Sequence, residues 1–318
     1  MLPPGIPCLD ISGFLDGSHP IEVARQFDLA LREIGFLLIL GHGISERLIS
    51  AVYREAIAFF ELPIGEKQQL MLADRSINRG YIPMGRDSVA GTRGQSAPPD
   101  LCEALMYYRL ACEAGDHPWP RRPVGFRPAL MAYNQALMDL TGTLMRISAL
   151  ALGLPEAYFT PYLDPCGGVI RLVHYPEQEQ EPLPGQLRYG AHSDYGGLTL
   201  LWQDEAPGGL QVCLPSGEWV DVPPIPGSFV VNVGDLIACW TNDRWRSTLH
   251  RVVNPPRTAL GRSRRLALVY FTGIRDEALI ECLPTCHSPS HPPRYQPVRA
   301  GDYIQAKINA SIAQSLPS

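Results

Sequence analysis

The chain has 318 residues, 45% hydrophobic and 19% charged, with a net charge of −5. This is globular composition with enough chain for a real core, in one large domain or two ordinary ones. The acidic balance disfavours a nucleic-acid partner, and no apolar run reaches the ~18 residues of a membrane helix. Residues 1–7 lack the basic and apolar regions of a signal peptide. The eight cysteines are scattered and read as reduced thiols of a cytoplasmic protein rather than a disulfide framework. Nothing marks an oligomer interface, so a monomer or weak homo-oligomer is expected.

In chain order, residues 6–11 predict a short strand, after which Ser18 and Pro20 supply an N-cap and a first-turn proline. Val23, Phe27, Ala30 and Ile34 then share one helical face, and Gly35 ends the helix. Residues 36–40 form a continuous apolar run, the mark of a strand buried on both faces. His42 sits between two glycines, a structural turn rather than a ligand position. Ser45 caps a second helix through Phe60, and Pro63 opens a short one through Met71. Residues 78–97 are polar and Gly-rich, a loop whose Tyr81, Met84 and Arg86 suit a lid.

Strand character returns at 101–110, and a Pro/Arg-rich connection follows at 118–128. Leu130, Tyr133, Leu137, Leu140, Leu144 and Ile147 are spaced by three and four, a core-facing stripe on a long helix that Gly153 stops. Beyond residue 168 the texture changes to short strands at 169–175, 190–201, 209–213, 219–222, 228–233, 248–254 and 265–272. Helices first and strands second predict an α+β chain with a mainly β core, a jelly roll buttressed by N-terminal helices and one long central helix. We divide it into an N-terminal region 1–160, a core 161–275 and a C-terminal extension 276–318, Pro-rich until Asp302 and helical from there through Ser315.

The chemistry gathers at His192 and Asp194, one residue apart at the head of an apolar run. In a strand, i and i+2 share a face, so imidazole and carboxylate converge. Alone, the pair is equally a polar surface strand. With His250 from a late strand it becomes two histidines and a carboxylate, the facial triad of non-haem Fe(II) oxygenases. The Cys282, Cys286, His287, His291 cluster mimics a zinc module, but its segment is Pro-rich and too short to fold around an ion. Arg265 lies among apolar strand residues; it is either an inward guanidinium for a carboxylate or a surface charge beside Arg262 and Arg264.

The sequence resembles the isopenicillin N synthase-like family of Fe(II)/2-oxoglutarate-dependent dioxygenases. The matching pieces include Gly41-His42-Gly43-Ile44, Arg79-Gly80-Tyr81, His174-Tyr175-Pro176, Ala191-His192-Ser193-Asp194-Tyr195-Gly196, Asn232-Val233-Gly234-Asp235 and Ser247-Thr248-Leu249-His250-Arg251-Val252. The resemblance implies a double-stranded β-helix with Fe(II) held by His192, Asp194 and His250. It implies that Arg265 and Tyr175 bind the distal carboxylate of 2-oxoglutarate. It also implies O2-dependent hydroxylation or desaturation of a small molecule, with succinate and CO2 as co-products. The family pattern Arg-x-Ser reads Arg265-Leu266-Ala267 here, so one hydroxyl contact is missing. That departure keeps open a 2-oxoglutarate-independent oxidase or cyclase, an ethylene-forming enzyme, or a non-catalytic metal-binding jelly roll. Candidate substrate residues are Arg171, which shares strand parity with Tyr175 and suits an anion, together with Tyr195 and Phe271; each is equally read as structural. Trp240 is read as core.

Overall fold

The computed structural model describes residues 5–72, 79–86, 89, 98–112 and 117–314. The N-terminal region opens with β1 (Cys8–Asp10), α1 (Ser12–Leu15), α2 (Pro20–Glu33), β2 (Phe36–Leu40), α3 (Glu46–Phe60) and α4 (Ile64–Gln68). It continues through β3 (Gly80–Ile82) and β4 (Glu103–Tyr108) to the long α5 (Phe126–Ala151). The apolar stripe of α5 is buried from Leu130 to Ile147 and packs on α2 and α3. Pro20 starts α2 as expected, but its cap position is His19, not Ser18, and no side chain caps it. Ser45 does cap α3, its Oγ accepting from the N–H of Leu48 at 3.3 Å.

The core strands are β5 (Val169–Tyr175), β6 (Tyr189–His192), β7 (Leu198–Gln203), β8 (Leu210–Cys213), β9 (Trp219–Asp221) and β10 (Phe229–Val233). After α6 (Asp235–Trp240) come β11 (His250–Val252), β12 (Arg265–Phe271), the ribbon β13 (Leu279–Ile280) and β14 (Val298–Arg299), and α7 (Ala300–Gln314). Eight strands form one sheet in the order β1-β2-β10-β7-β12-β5-β4-β3, and β6-β11-β8-β9 form a second. One face of the large sheet is covered by the helices and the other by the small sheet, so it is buried on both sides. β2 shows why its run is unbroken: Leu37 and Ile39 enter the helical core while Phe36 and Leu38 enter the core between the sheets. Gly35, just before it, has φ +77°, and a Cβ there would lie 2.1 Å from the carbonyl oxygen of Arg246. Only glycine allows that approach.

Two expectations need correction here. Residues 80–82 are a strand on β4, not loop, and Tyr81 is buried with its hydroxyl donating to Glu103, so it is no lid residue. Residues 87–88 and 90–97 of the expected lid lie outside the described residues. The cysteines are not all reduced: Cys112 and Cys166 form a disulfide, while six remain free. The N–H of Ala111 donates to Cys166 O and that of Arg109 to Gly168 O, which runs the two loops together and sets the Cα atoms 4.9 Å apart. A separation of 54 residues hid that pairing in the sequence. The Cys282 to His291 segment does not gather donors; Cys286 packs into the core, and residues 288–291 form a turn. Trp240 is core, packed against Phe159 and Tyr162. Among the described residues no helix is long and apolar enough to cross a membrane.

Under α3 and α4 lies a buried charge network. Glu103 accepts from Lys67 Nζ at 2.7 Å, from His174 Nδ1 at 2.8 Å and from the Tyr81 hydroxyl. Burial opposes ionisation of Glu103, but the His174, Lys67 and Tyr81 hydrogen bonds outweigh it and hold the carboxyl below its ordinary range. Removing the carboxylate strands the Lys67 ammonium, so Glu103→Leu is expected to cost about 3–5 kcal/mol in urea unfolding, and Lys67→Met in that background to recover part of it. Because the folded-state pKa is depressed, the contribution is present above the ordinary carboxylate pKa and lost as pH falls through the folded value. The stability gap between parent and Glu103→Gln should therefore narrow in acid.

Candidate metal centre and co-substrate site

His192 ends β6, and His250 begins β11 directly opposite it in register. The two imidazoles are thus a cross-strand pair in the small sheet, with ring centroids 4.1 Å apart, rather than residues facing each other across the barrel. Asp194 is not on a strand. The chain leaves the sheet after His192, and the α6 terminus holds the segment: Asp235 N–H donates to Asp194 O at 2.8 Å and Gly234 N–H to Gly197 O at 2.8 Å. Convergence comes from this turn, not from the pleat.

Asp194 Oδ1 lies 3.8 Å from His192 Nε2 and 3.7 Å from His250 Nε2, and the three donor atoms fall within 4.8 Å of one another. Bonds of roughly 2.1 Å to one ion span such gaps. The outer atoms are already engaged. Nδ1–H of His192 donates to Gly190 O at 3.0 Å and that of His250 to Thr248 O at 3.1 Å, the tautomers that leave both Nε2 lone pairs inward. Asp194 Oδ2 accepts from Thr199 Oγ1 and Asn232 Nδ2, both at 2.6 Å, leaving Oδ1 for the metal. Burial, with His250 alongside, pushes the His192 pKa far down, so the imidazole is neutral. Burial works against the Asp194 carboxylate, but the two imidazoles and the two hydrogen bonds prevail and keep it ionised. Two imidazole nitrogens and a carboxylate oxygen gathered this closely are a donor set that suits Fe(II).

The inward faces of β5 and β12 run together: Val169 pairs Phe271, Arg171 pairs Val269, Val173 pairs Ala267 and Tyr175 pairs Arg265. Arg265 is 1% exposed and so is not a surface charge. Its Nη2 donates to Gln203 Oε1 at 2.8 Å, and its guanidinium lies 5.0 Å from the Tyr175 ring. Nε and Nη1 are buried with no hydrogen-bond partner among the described residues. Two orphaned N–H donors on a buried cation fit a carboxylate. Burial raises the Tyr175 phenol well above its ordinary pKa, which keeps it a donor. β7 spaces the two ends: Thr199 bonds Asp194, and Gln203 bonds Arg265 four residues on, about 13 Å of strand.

Arg171 is buried, with its guanidinium 5.2 Å from the Tyr189 ring; that ring packs edge-on against His192 at 4.9 Å. Phe271 packs at the rim of the cluster containing Val173, Tyr175 and Val269. Tyr195 follows Asp194, and its ring lies 5.5 Å from Lys307 Nζ on α7. Sequence reasoning missed Thr199, Asn232 and Gln203. Their signal is a polar residue inside an apolar strand, as in Leu198-Thr199-Leu200 and Val231-Asn232-Val233.

Residues 166–274 match the model of the 2OG-Fe(II) oxygenase superfamily, and residues 6–126 that of the non-haem dioxygenase in morphine synthesis N-terminal region. The 2-oxoglutarate-Fe(II) type oxidoreductase hxnY of Emericella nidulans is 32% identical, covering 99% of this chain and 93% of that protein. The homoarginine-6-hydroxylase 2-ODD-233 of Oryza sativa is 34% identical over 95% of this chain and 96% of its own. A full-length protein of Neurospora crassa, solved in complex with alpha-KG and thymine, superposes with a TM-score of 0.86 at 32% identity, covering 96% of each chain. The chain belongs to the 2-oxoglutarate- and Fe(II)-dependent oxygenases, and its fold is their jelly roll. It is an oxidoreductase that uses Fe(II), 2-oxoglutarate and O2 on a small molecule.

Asn232→Ala frees one lone pair of Asp194 and should weaken metal binding about 10- to 100-fold, read by anaerobic Fe(II) titration. Asp194→Ala should abolish both binding and turnover.

Proposed function

We propose that His192, Asp194 and His250 hold the iron, that Arg265 and Tyr175 hold the distal carboxylate of 2-oxoglutarate, and that Arg171, Tyr195 and Phe271 face the substrate. The bound group supplies oxidative decarboxylation of the co-substrate, yielding succinate and CO2 while the substrate is hydroxylated or desaturated. The protein's own part is placement and exclusion of water. Thr199 and Asn232 fix the carboxylate, backbone carbonyls fix the imidazole tautomers, and the apolar walls at Val173, Ala267 and Val269 keep the co-substrate channel dry. The observation that carries the co-substrate assignment is the pair of orphaned donors on Arg265. It favours 2-oxoglutarate use over the cyclase-like and non-catalytic alternatives.

For the substrate we infer a small polar molecule that offers a carboxylate or carbonyl oxygen to Arg171. Support comes from the Arg171–Tyr189–His192 contact chain, which sets that guanidinium beside the donor cluster. The substrates named for the relatives, homoarginine and thymine, both carry such oxygens. The divisions at residues 160 and 275 are ones of role, since β1 to β4 extend the core's own sheet. A cytoplasmic location and a monomer or weak homo-oligomer complete the reading; six cysteines outside any disulfide support the location and the Cys112–Cys166 bond bears against it.

An anaerobic titration of 2-oxoglutarate into Fe(II)-loaded protein should develop a saturable metal-to-ligand charge-transfer band. Iron binding without the band would sink the co-substrate assignment. Arg265→Gln should raise the 2-oxoglutarate requirement at least tenfold, the loss of one charge-assisted pair. Arg171→Leu should raise the KM of an anionic or carbonyl-bearing substrate while leaving that for 2-oxoglutarate unchanged.

A further inference from the structure

Arg188 precedes β6 and is 1% exposed, as buried as Arg265. Its guanidinium lies 5.7 Å from the ring of Tyr175, and that of Arg265 lies 5.0 Å from the same ring. All four of its hydrogen bonds go to backbone carbonyls: Nη1 to Pro207 and Gly208 at 3.3 and 3.5 Å, and Nη2 to Pro176 and Ser263 at 3.3 and 2.5 Å. The nearby acids Glu177 and Asp204 act on Arg188 through their field but make their hydrogen bonds elsewhere. Glu177 accepts from the N–H groups of Gly261, Ser263 and Arg264 and from the Ser263 hydroxyl, and Asp204 from those of Leu266 and Ala206. Two buried guanidiniums therefore flank one tyrosine, and none of the acceptors of either is a carboxylate.

Burying one cation without a counter-charge is costly, and burying two beside each other is more so. Burial first, and then the charge of Arg265, pull the Arg188 pKa down to about 10, which still leaves it fully protonated at neutral pH. A dianion whose far carboxylate met the free N–H groups of Arg265 would supply a counter-charge to both guanidiniums. It also bears on Ala267, which lies across the strands from Val173 and Gln203 and brings no hydroxyl to this end of the channel.

We propose that Arg188 is a positioning residue for the co-substrate: a second buried cation that makes this end of the channel selective for a dicarboxylate and offsets the hydroxyl missing at Ala267. It acts through its field on the carboxylate held by Arg265, its own N–H groups being spent on the backbone. The inference rests on the placement of the distal carboxylate at Arg265 given above.

The test compares 2-oxoglutarate with 2-oxobutyrate, which keeps the chelating end and lacks the distal carboxylate, each titrated calorimetrically into anaerobic Fe(II)-loaded protein. Arg188→Met should weaken 2-oxoglutarate about tenfold or more while moving 2-oxobutyrate less than about threefold, since only the dianion feels the lost charge. Equal weakening of both ligands, or of neither, overturns the proposal, because a packing role does not distinguish them. Arg188→Lys keeps the charge and should retain the dicarboxylate preference within about threefold; its collapse there overturns the proposal even if the Met variant fails to fold. Ala267→Ser should strengthen 2-oxoglutarate binding more in the Arg188→Met background than in the parent. Arg265→Gln in the same assay separates the two claims. If it leaves 2-oxoglutarate binding intact, the carboxylate placement itself is wrong; if it weakens binding while Arg188→Met does not, Arg188 alone is excluded.

Discussion

The division of labour between the two oxygens of Asp194 is the constraint on which the site depends. Oδ2 is committed to Thr199 on β7 and Asn232 on β10, so Oδ1 has one orientation, toward both imidazoles. β7 and β10 are neighbours in the large sheet, whereas His192 and His250 belong to the small one. The three donors thus bridge the two sheets, and the carboxylate is held from the side the histidines do not reach. A turn residue with a free carboxylate would lose rotamer entropy on binding an ion; here that cost is met in folding.

The same strand that fixes Asp194 also fixes Arg265, through Gln203. Thr199 and Gln203 lie on one inward row of β7, and each holds a charged side chain. A register slip of one residue would turn both outward and lose both ends together. Register is secured by burial on both faces: Leu198 and Leu200 point into the helical core while Leu201 packs between the sheets. The N-terminal helices therefore stabilise the site although they contribute no ligand to it.

Much of this was legible in the sequence. The grouping of His192, Asp194 and His250, an Arg265 turned inward beside Tyr175, the run of late strands and the long α5 follow from residue type, spacing and family resemblance. What failed depended on long-range contacts that no local pattern encodes. The His192-x-Asp194 spacing predicts strand neighbours, yet the pleat stops at His192 and the α6 terminus carries Asp194 round. The Cys112–Cys166 bond joins loops that only the β4–β5 pairing brings together. Tyr81 sits in a polar stretch and still turns inward, because Glu103 on the next strand needs its hydroxyl.

Buried charge in this molecule serves two different ends, and the partners tell them apart. Around Glu103 every charge has its complement: Lys67, His174 and Tyr81 converge on one carboxylate, on the helical side of the sheet. Both oxygens of Glu103 are satisfied within the protein, although His174 Nε2 has no partner among the described residues. Across the same sheet the pattern reverses, with two carbonyl-bound or half-satisfied arginines near one tyrosine and a lone carboxylate between two imidazoles further along. The excess charge is cationic around Tyr175 and anionic at Asp194. A five-carbon diacid held with a divalent ion would offset both: Arg265 would take the far carboxylate and Asp194 would take the ion. This side of the sheet is therefore suited to charged ligands, whereas the Glu103 network serves the fold.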